Sequence, residues 1–332
     1  MDKILLSKGA MKFEVDISEL QLVGGFSNNV FEYNGDGENL ILKFYLSSKY
    51  KKDSIRAELD WIRFLHQSGI NVTAPLYSVD GNYLEIIQVD NKEECYVLAF
   101  EKAKGNFISV SDSGSWNKDF FYNWGKTLGK IHYLSKKYKP LDESIKKQDW
   151  NEGLLFTETF EDVNDVIVEK WGQFIKEIKS LPKNINCYGM IHNDLHQKNF
   201  YIYNKEIVLF DFGDCEYNWF VYDIAIVLYH AVQTIDENDL QGRRDFAIQF
   251  IQSFLQGYLQ KNNLDSYWLS KLPFFLDYRQ IFSYIYFLRF LNEEQKSNEK
   301  VKDILNGMRS RIENDVPFLD IQYKDFCLQI ET

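Results

Sequence analysis

The 332-residue chain has only four cysteines, Cys95, Cys187, Cys215 and Cys327, and no two stand close together. That spacing excludes the paired thiolates of a zinc site and the density of a disulfide scaffold, so reduced thiols are expected. Long apolar runs are also missing. The nearest candidate, residues 224–232, falls far short of the roughly 18 residues that a membrane span requires. The apolar stretch within residues 1–8 is too short for a signal peptide, and an unanchored, cytoplasmic protein is expected. Basic charge is in deficit, with 38 Lys and Arg against 49 Asp and Glu, a net charge of −11. This argues against nonspecific binding to nucleic acid or to an anionic membrane surface. Internal repeats and low-complexity tracts are absent. Aromatic rings are plentiful: 26 Phe, 21 Tyr and 7 Trp make up 16% of the chain. With hydrophobic residues at 45% and charged residues at 26%, the composition is that of a soluble globular protein, and most of the rings must form core.

The length fits two domains or one two-lobed enzyme. Residues 20–23, 29–33 and 39–45 are short apolar-rich runs separated by Gly24-Gly25 and by the turn signal Asn34-Gly-Asp-Gly37, the pattern of an antiparallel meander. Residues 53–67 carry Ile55, Leu59, Ile62 and Leu65 at helical spacing, with Asp53 as a candidate cap and Gly69 as a stop. Two further strands are expected at 83–89 and 95–100, giving a five-stranded sheet with one helix. From Asn117 onward the period becomes helical, at 120–134, 163–178, 222–232, 244–259 and 277–291. Within that region, residues 200–203 and 207–210 flank Asn204-Lys-Glu206 as a hairpin would. The fold class is therefore α+β: a small β-rich amino-terminal lobe, 1–102, and a larger, mainly helical carboxy-terminal lobe, 103–332.

The polar residues gather around that hairpin. His192-Asn-Asp-Leu-His-Gln-Lys-Asn199 precedes it and Asp211-Phe-Gly-Asp214 follows it. Phosphoryl transfer needs a carboxylate beside the acceptor hydroxyl, and an amide oxygen and second carboxylate to hold Mg2+ against a triphosphate. Asp194, Asn199 and Asp211 supply these three groups, in the order and spacing of the H-x-D-x-x-x-x-N and D-F-G elements of kinase-like enzymes. A loop whose Asn and Asp residues serve only turns would not generate the joint spacing. Asp223 is expected to cap the next helix and brace the loop. In the first lobe, the Gly24-Gly25 loop with Ser27 and Asn28 reads either as a phosphate cover or as an ordinary turn. Lys43 interrupts the apolar run 40–45 and can face the same site. Glu58, on the helix that follows, reads as its ion-pair partner or as a solvated residue.

These motifs resemble the aminoglycoside phosphotransferase and choline kinase family, small-molecule kinases with a protein-kinase-like fold. The resemblance runs from Gly24 to Asp223 and includes Leu128-Gly-Lys-Ile-His132. It implies a two-lobed kinase binding MgATP, with GTP as the other candidate nucleotide. It also implies Asp194 as catalytic base, His192 as support for its loop, and Asn199 and Asp211 as Mg2+ ligands. Lys43 would contact the nucleotide phosphates beneath the loop of Gly25, Ser27 and Asn28, with Glu58 as the lysine's ion-pair partner, and Phe100, Glu101 and Ala103 would offer backbone groups to the adenine. Asn193 departs from the glycine often found at its position.

The acceptor is not specified by these motifs. Residues 273–290 are rich in rings, and helical spacing aligns Phe275, Tyr278, Phe282 and Ile285 on one face, the pattern of core. A functional reading makes Trp219, Tyr222, Tyr278, Arg279 and Asp214 part of an acceptor pocket suited to a cation or a sugar. The expected activity is transfer of the γ-phosphoryl group to a hydroxyl of an amino alcohol, sugar, homoserine-like or aminoglycoside-like molecule. A protein Ser/Thr kinase of the same fold and a non-catalytic nucleotide-binding protein are the alternatives. Oligomeric state is not legible.

Overall fold

A computed structural model describes residues 2–24, 28–34, 39–90, 92–157, 160 and 163–327. Two compact units divide the chain: residues 1–107, 137–147 and 198–215 in the first, and 108–136, 148–197 and 216–332 in the second.

In the first unit, α1 (Lys3–Met11) leads to β1 (Leu20–Gly24), β2 (Val30–Asn34), β3 (Asn39–Leu46), α2 (Lys52–Gln67), β4 (Pro75–Leu76), β5 (Glu85–Gln88) and β6 (Glu94–Glu101). The strands form one antiparallel sheet in the order β1-β2-β3-β6-β4, with β5 also paired to β6. Six strands stand where the sequence pattern gives five, because β4 is two residues long and starts with proline, too short for any periodicity to register. Leu42, Phe44, Val97 and Ala99 form the core on one sheet face, together with Leu5 of α1. On α2 the expected stripe, Ile55, Leu59, Ile62 and Leu65, is buried, each side chain contributing on the order of 1.5–3 kcal/mol. Asp53 does not cap it. The helix starts one residue earlier, at Lys52, after a Lys51 that makes no side-chain cap. The turn expected at Asn34–Gly37 lies mostly outside the described residues.

The second unit begins with α3 (Lys118–Ser135), α4 (Leu154–Thr157), α5 (Asp165–Ser180) and β7 (Tyr188–Ile191). The chain then returns to the first unit for the hairpin of β8 (Phe200–Tyr203) and β9 (Glu206–Leu209). Asn204 and Lys205 both have positive φ, 51° and 65°, as a two-residue hairpin turn requires. Back in the second unit follow β10 (Glu216–Trp219), α6 (Phe220–Val232), α7 (Leu240–Leu259), α8 (Ser266–Ser270), α9 (Leu272–Phe290), α10 (Glu293–Ser297), α11 (Glu299–Glu313) and α12 (Tyr323–Cys327). β7 and β10 pair antiparallel, Ile191 opposite Glu216 and Trp219 opposite Tyr188, which sets the loop after β7 beside the chain entering β10 and the start of α6 beside the start of β7. α3 and α7 pack backbone to backbone. A Cβ at Gly125 or Gly129 would run into the carbonyls of Phe254 and Tyr258, so only glycine permits the approach. Around this contact Trp116, Phe121, Trp124, Phe250 and Phe254 build a ring cluster, where much of the aromatic content is buried. Among the described residues no helix is long and apolar enough to cross a membrane.

Candidate active site

In the first unit the site is built on β3. Side chains alternate along a strand, so Leu42 and Phe44 join the core while Lys43 faces the other way. Lys43 is nevertheless buried, with the ring of Phe100 at 5.6 Å, and its Nζ lies 2.8 Å from Asp211 Oδ1. Burial opposes its charge, but Asp211 above all, with Tyr45 and Glu58, outweighs that and raises its pKa above the ordinary lysine value. Asp211 has φ +63°, a left-handed conformation that a non-glycine residue adopts at a cost, and its side chain is half exposed. The β8–β9 hairpin returns Asp211 to the start of its own excursion: Phe210 N–H donates to Asn199 O at 3.1 Å. Asn199, Asp211 and Lys43 are thereby gathered in one unit.

Glu58 lies inside the apolar stripe of α2, 3% exposed, so it is not a solvated residue. Its Oε1 has no hydrogen-bond partner among the described residues, and the ion pair of Lys43 is with Asp211 rather than with Glu58. Burial raises the Glu58 pKa, against the pull of Lys147 first and Lys43 second. Lys147 is a residue that sequence reading passes over, since it sits in the unremarkable pair Lys146-Lys147. It is buried, and its Nζ donates to Gly213 O at 2.8 Å, tying down the loop that carries Asp211. Gly25 and Ser27 lie outside the described residues. Asn28 is exposed, with φ +51°. Its neighbour Asn29 is buried and clamps the loop to β3 through Nδ2 to Phe44 O at 2.9 Å. At the end of β6, Phe100 is buried, Glu101 is exposed and Ala103 is half-buried just beyond the strand; Asp214 is exposed.

In the second unit, His192 is fully buried and Asn193 has φ +67°. Asparagine is the next-best occupant of that conformation after glycine, which explains how it stands at a position where the resembling family often has glycine. Both backbone N–H groups donate to Asp223, His192 to Oδ2 at 3.0 Å and Asn193 to Oδ1 at 2.9 Å. Asp223 therefore braces the loop, while the N-cap position of α6 belongs to Trp219. Asp194 then faces three nitrogenous groups: His196 Nε2 at 3.4 Å from Oδ2, and Arg279 Nη2 at 3.6 Å and His230 Nε2 at 3.7 Å from Oδ1. Burial works to raise the Asp194 pKa, but His196, Arg279 and His230 together hold it at about 2, so the carboxylate stays ionised. Burial and then Arg279 push His230 down to about 3. A neutral His230 can accept from Arg279, whose Nη2 lies 3.5 Å from its Nε2.

The ring-rich stretch behaves as core. Trp219 is buried and donates from Nε1 to Pro182 O at 3.0 Å. Tyr222 and Tyr278 are buried with ring centroids 5.2 Å apart, and burial pushes the Tyr222 hydroxyl up to about 12. Arg279 alone of that group reaches the Asp194 carboxylate. The same unit has a recess of about 600 Å3 lined by Trp116, Phe121, Phe246, Lys118, Gln249 and Thr234. Thr234 stands two residues beyond the end of α6, the helix that carries His230 in its last turn.

An ionised carboxylate beside the guanidinium of Arg279, a buried lysine paired with a D-F-G aspartate, and a protein-kinase-like α+β fold define a phosphotransferase of the kinase type. The chain belongs to the phosphotransferase enzyme family, whose pattern it matches over residues 19–267. It is similar to the amicoumacin kinase of Bacillus subtilis (strain 168), 31% identical over 317 residues that cover 94% of this chain and 92% of that one. A solved amicoumacin kinase in complex with AMP-PNP, Ca2+ and Ami superposes with a TM-score of 0.88 at 29% identity, covering 97% of this chain and 96% of the other. A microcompartment-associated aminopropanol kinase shares the fold, with a TM-score of 0.75 at 17% identity over 95% and 99% of the two chains.

Proposed function

We propose that this protein is a cytoplasmic, ATP- and Mg2+-dependent kinase that phosphorylates a hydroxyl of an amine-bearing small molecule, with amicoumacin as the first acceptor to test. Residues 1–102 form the nucleotide lobe in this reading, and 103–332 the lobe that carries the acceptor and the catalytic loop. The observation that supports it most is the Lys43–Asp211 pair at 2.8 Å, made across 168 positions of sequence by a lysine buried in an apolar strand. A buried lysine held on an aspartate of a metal-binding motif has charge to offer to phosphate once that aspartate engages a cation.

The donor set fits Mg2+. Asn199 and Asp211, gathered in one unit, offer an amide oxygen and a carboxylate, a pair of hard oxygen donors that suits an ion taking few protein ligands and completing its shell with phosphate and water. Asp211 and the carboxamide oxygen of Asn199 would hold it, and when bound it would neutralise charge on the transferred phosphate. Asp194 orients the acceptor hydroxyl and accepts its proton as the new O–P bond forms and the bond to the ADP oxygen breaks. A pKa near 2 makes Asp194 a weak base, so its contribution is chiefly orientation, with proton transfer late. The non-reacting part of the acceptor lies in the recess floored by Trp116 and Phe246, where Gln249 and Thr234 offer polar contacts.

The net charge of −11 favours a cationic acceptor over an anionic one. Phosphate transfer from γ-labelled ATP across amicoumacin, 1-amino-2-propanol, choline, homoserine, sugars and aminoglycosides tests the reading. Transfer to an amine-bearing acceptor supports it. Transfer only to neutral sugars, or to proteins in a lysate, contradicts it.

A further inference from the structure

Asp223 is fully buried and accepts a third N–H besides the two from the Asp194 loop: His132 Nε2 lies 3.0 Å from Oδ2. His132 belongs to α3 and is itself fully buried, with the ring of Phe220 stacked on it at 4.5 Å. Its other nitrogen, Nδ1, lies 2.8 Å from the hydroxyl of Tyr258 in α7, and that hydroxyl is 2.7 Å from Asn262 Nδ2.

Chemistry fixes the direction of every bond in this chain. Both oxygens of Asp223 already accept backbone N–H bonds, so Asp223 meets His132 as an acceptor and Nε2 carries the proton. Nδ1 must then accept, so Tyr258 donates its O–H and takes the Asn262 amide N–H on its oxygen. Burial lowers the His132 pKa, which agrees with a neutral imidazole. The contact exists because Gly129, in the turn before His132, lets the backbone of α3 lie against the carbonyl of Tyr258. Asn262, Tyr258, His132 and Asp223 thus form one directed relay that ends on the backbone of His192 and Asn193.

We propose that Tyr258 is a positioning residue for phosphoryl transfer: by donating to Nδ1 it anchors the ring of His132 so that Nε2–H meets Asp223, which holds both oxygens of Asp223 on the catalytic loop and so sets where Asp194 stands. This rests on the reading of Asp194 as the reacting carboxylate. Without the Tyr258 hydroxyl the buried Nδ1 loses its donor and the ring is free to turn, so that Nε2–H no longer points squarely at Asp223. One of the three bonds that orient Asp223 weakens, and the loop loosens.

The test uses the full-length protein and two readouts. In Tyr258→Phe, kcat per folded site with MgATP and amicoumacin, or the best acceptor of the panel above, should fall about ten- to thirtyfold while the KM for ATP stays within twofold. Hydrogen exchange of the His192 and Asn193 amides, followed by NMR without any acceptor, should quicken at least tenfold relative to the α3 and α7 amides. His132→Gln supplies an amide donor to Asp223 with no ring for Tyr258 to anchor, so adding Tyr258→Phe to it should change kcat and exchange by less than twofold. Losses that multiply in the double variant would overturn the relay, as would loop exchange that merely follows the helices. If Tyr258→Phe does not fold, nitrogen chemical shifts of His132 in the unaltered protein decide: an Nδ1–H tautomer refutes the proposal and an Nε2–H tautomer supports it. Exchange that responds as expected in a protein that phosphorylates nothing would leave the relay standing and remove the functional reading instead.

Discussion

Replacing Arg279 with methionine keeps much of the apolar stem and removes the charge 3.6 Å from Asp194 Oδ1. Two unit charges at that distance attract by about 4–5 kcal/mol at an effective dielectric of ~20. The carboxylate is 26% exposed, and His196 remains at 3.4 Å, so solvent and the second partner recover part of that. A net loss of about 1.5–3 kcal/mol in the orientation of Asp194 corresponds to a ten- to hundredfold fall in kcat. ATP should bind as before, because Lys43 and Asp211 are untouched. The variant also changes the pH response. Arg279 helps to depress His230, so its removal lets the His230 pKa rise, and a protonated His230 can stand in for the missing cation. Residual activity in Arg279→Met should therefore rise relative to the unaltered protein as pH falls from about 8 to about 6. Steady-state kinetics over that range, with ATP and acceptor varied separately, measure both effects. A kcat within twofold of normal, or an ATP KM that rises in step with the loss, would refute the reasoning.

Lys43→Met should raise the KM for ATP or lower kcat by about tenfold or more, since it removes a charge directed at phosphate; unchanged kinetics would make Lys43 purely structural. Asp211→Asn should weaken the gain in ATP affinity that Mg2+ confers, and calorimetric titration with and without the metal reads this directly. Asp277, which accepts from Phe318 N–H at 2.7 Å, is pushed up to about 6 by burial. A carboxyl whose folded pKa is raised stabilises the protein fully only below its unfolded pKa of about 3.8, and that stability is lost as pH rises through 6. Asp277→Asn keeps the acceptor and should raise the Tm at pH 8 but not at pH 4; an equal shift at both pH values would show that Asp277 is not the titrating group.

The α+β class, the strand meander of the first unit, the β8–β9 hairpin and the five long helices were legible because each carries its period or its turn residues locally. The kinase-like motif was legible for a different reason: Asp194, Asn199 and Asp211 fall within one short stretch of sequence. What escaped was decided by tertiary contact. α1 contains Gly9, a weak helix former, and gains its place by setting that glycine against the ring of Phe44. α11 is an exception, since Val301, Leu305, Met308 and Ile312 stand at helical spacing and are half-buried or buried, a stripe legible in the sequence but passed over. Glu58 was assigned to Lys43 by analogy of position, whereas the fold brings Asp211 to that lysine and a buried Lys147 toward Glu58. Nothing adjacent to Lys147 distinguishes it from a surface lysine. Trp219, Tyr222 and Tyr278 looked like a pocket wall because rings suit both cores and ligands, and only burial separates the two.

The central claim is that Asp194 acts on the acceptor hydroxyl while the nucleotide is held elsewhere. Asp194→Asn keeps the shape but removes the charge that orients the acceptor hydroxyl and takes its proton, so single-turnover transfer from ATP to an identified acceptor should fall about 10²–10⁴-fold. Calorimetry on the same protein should find MgATP affinity within about twofold of normal. Near-normal transfer by the variant would contradict the account, and loss of transfer together with loss of MgATP binding would reassign Asp194 to the metal or to the fold.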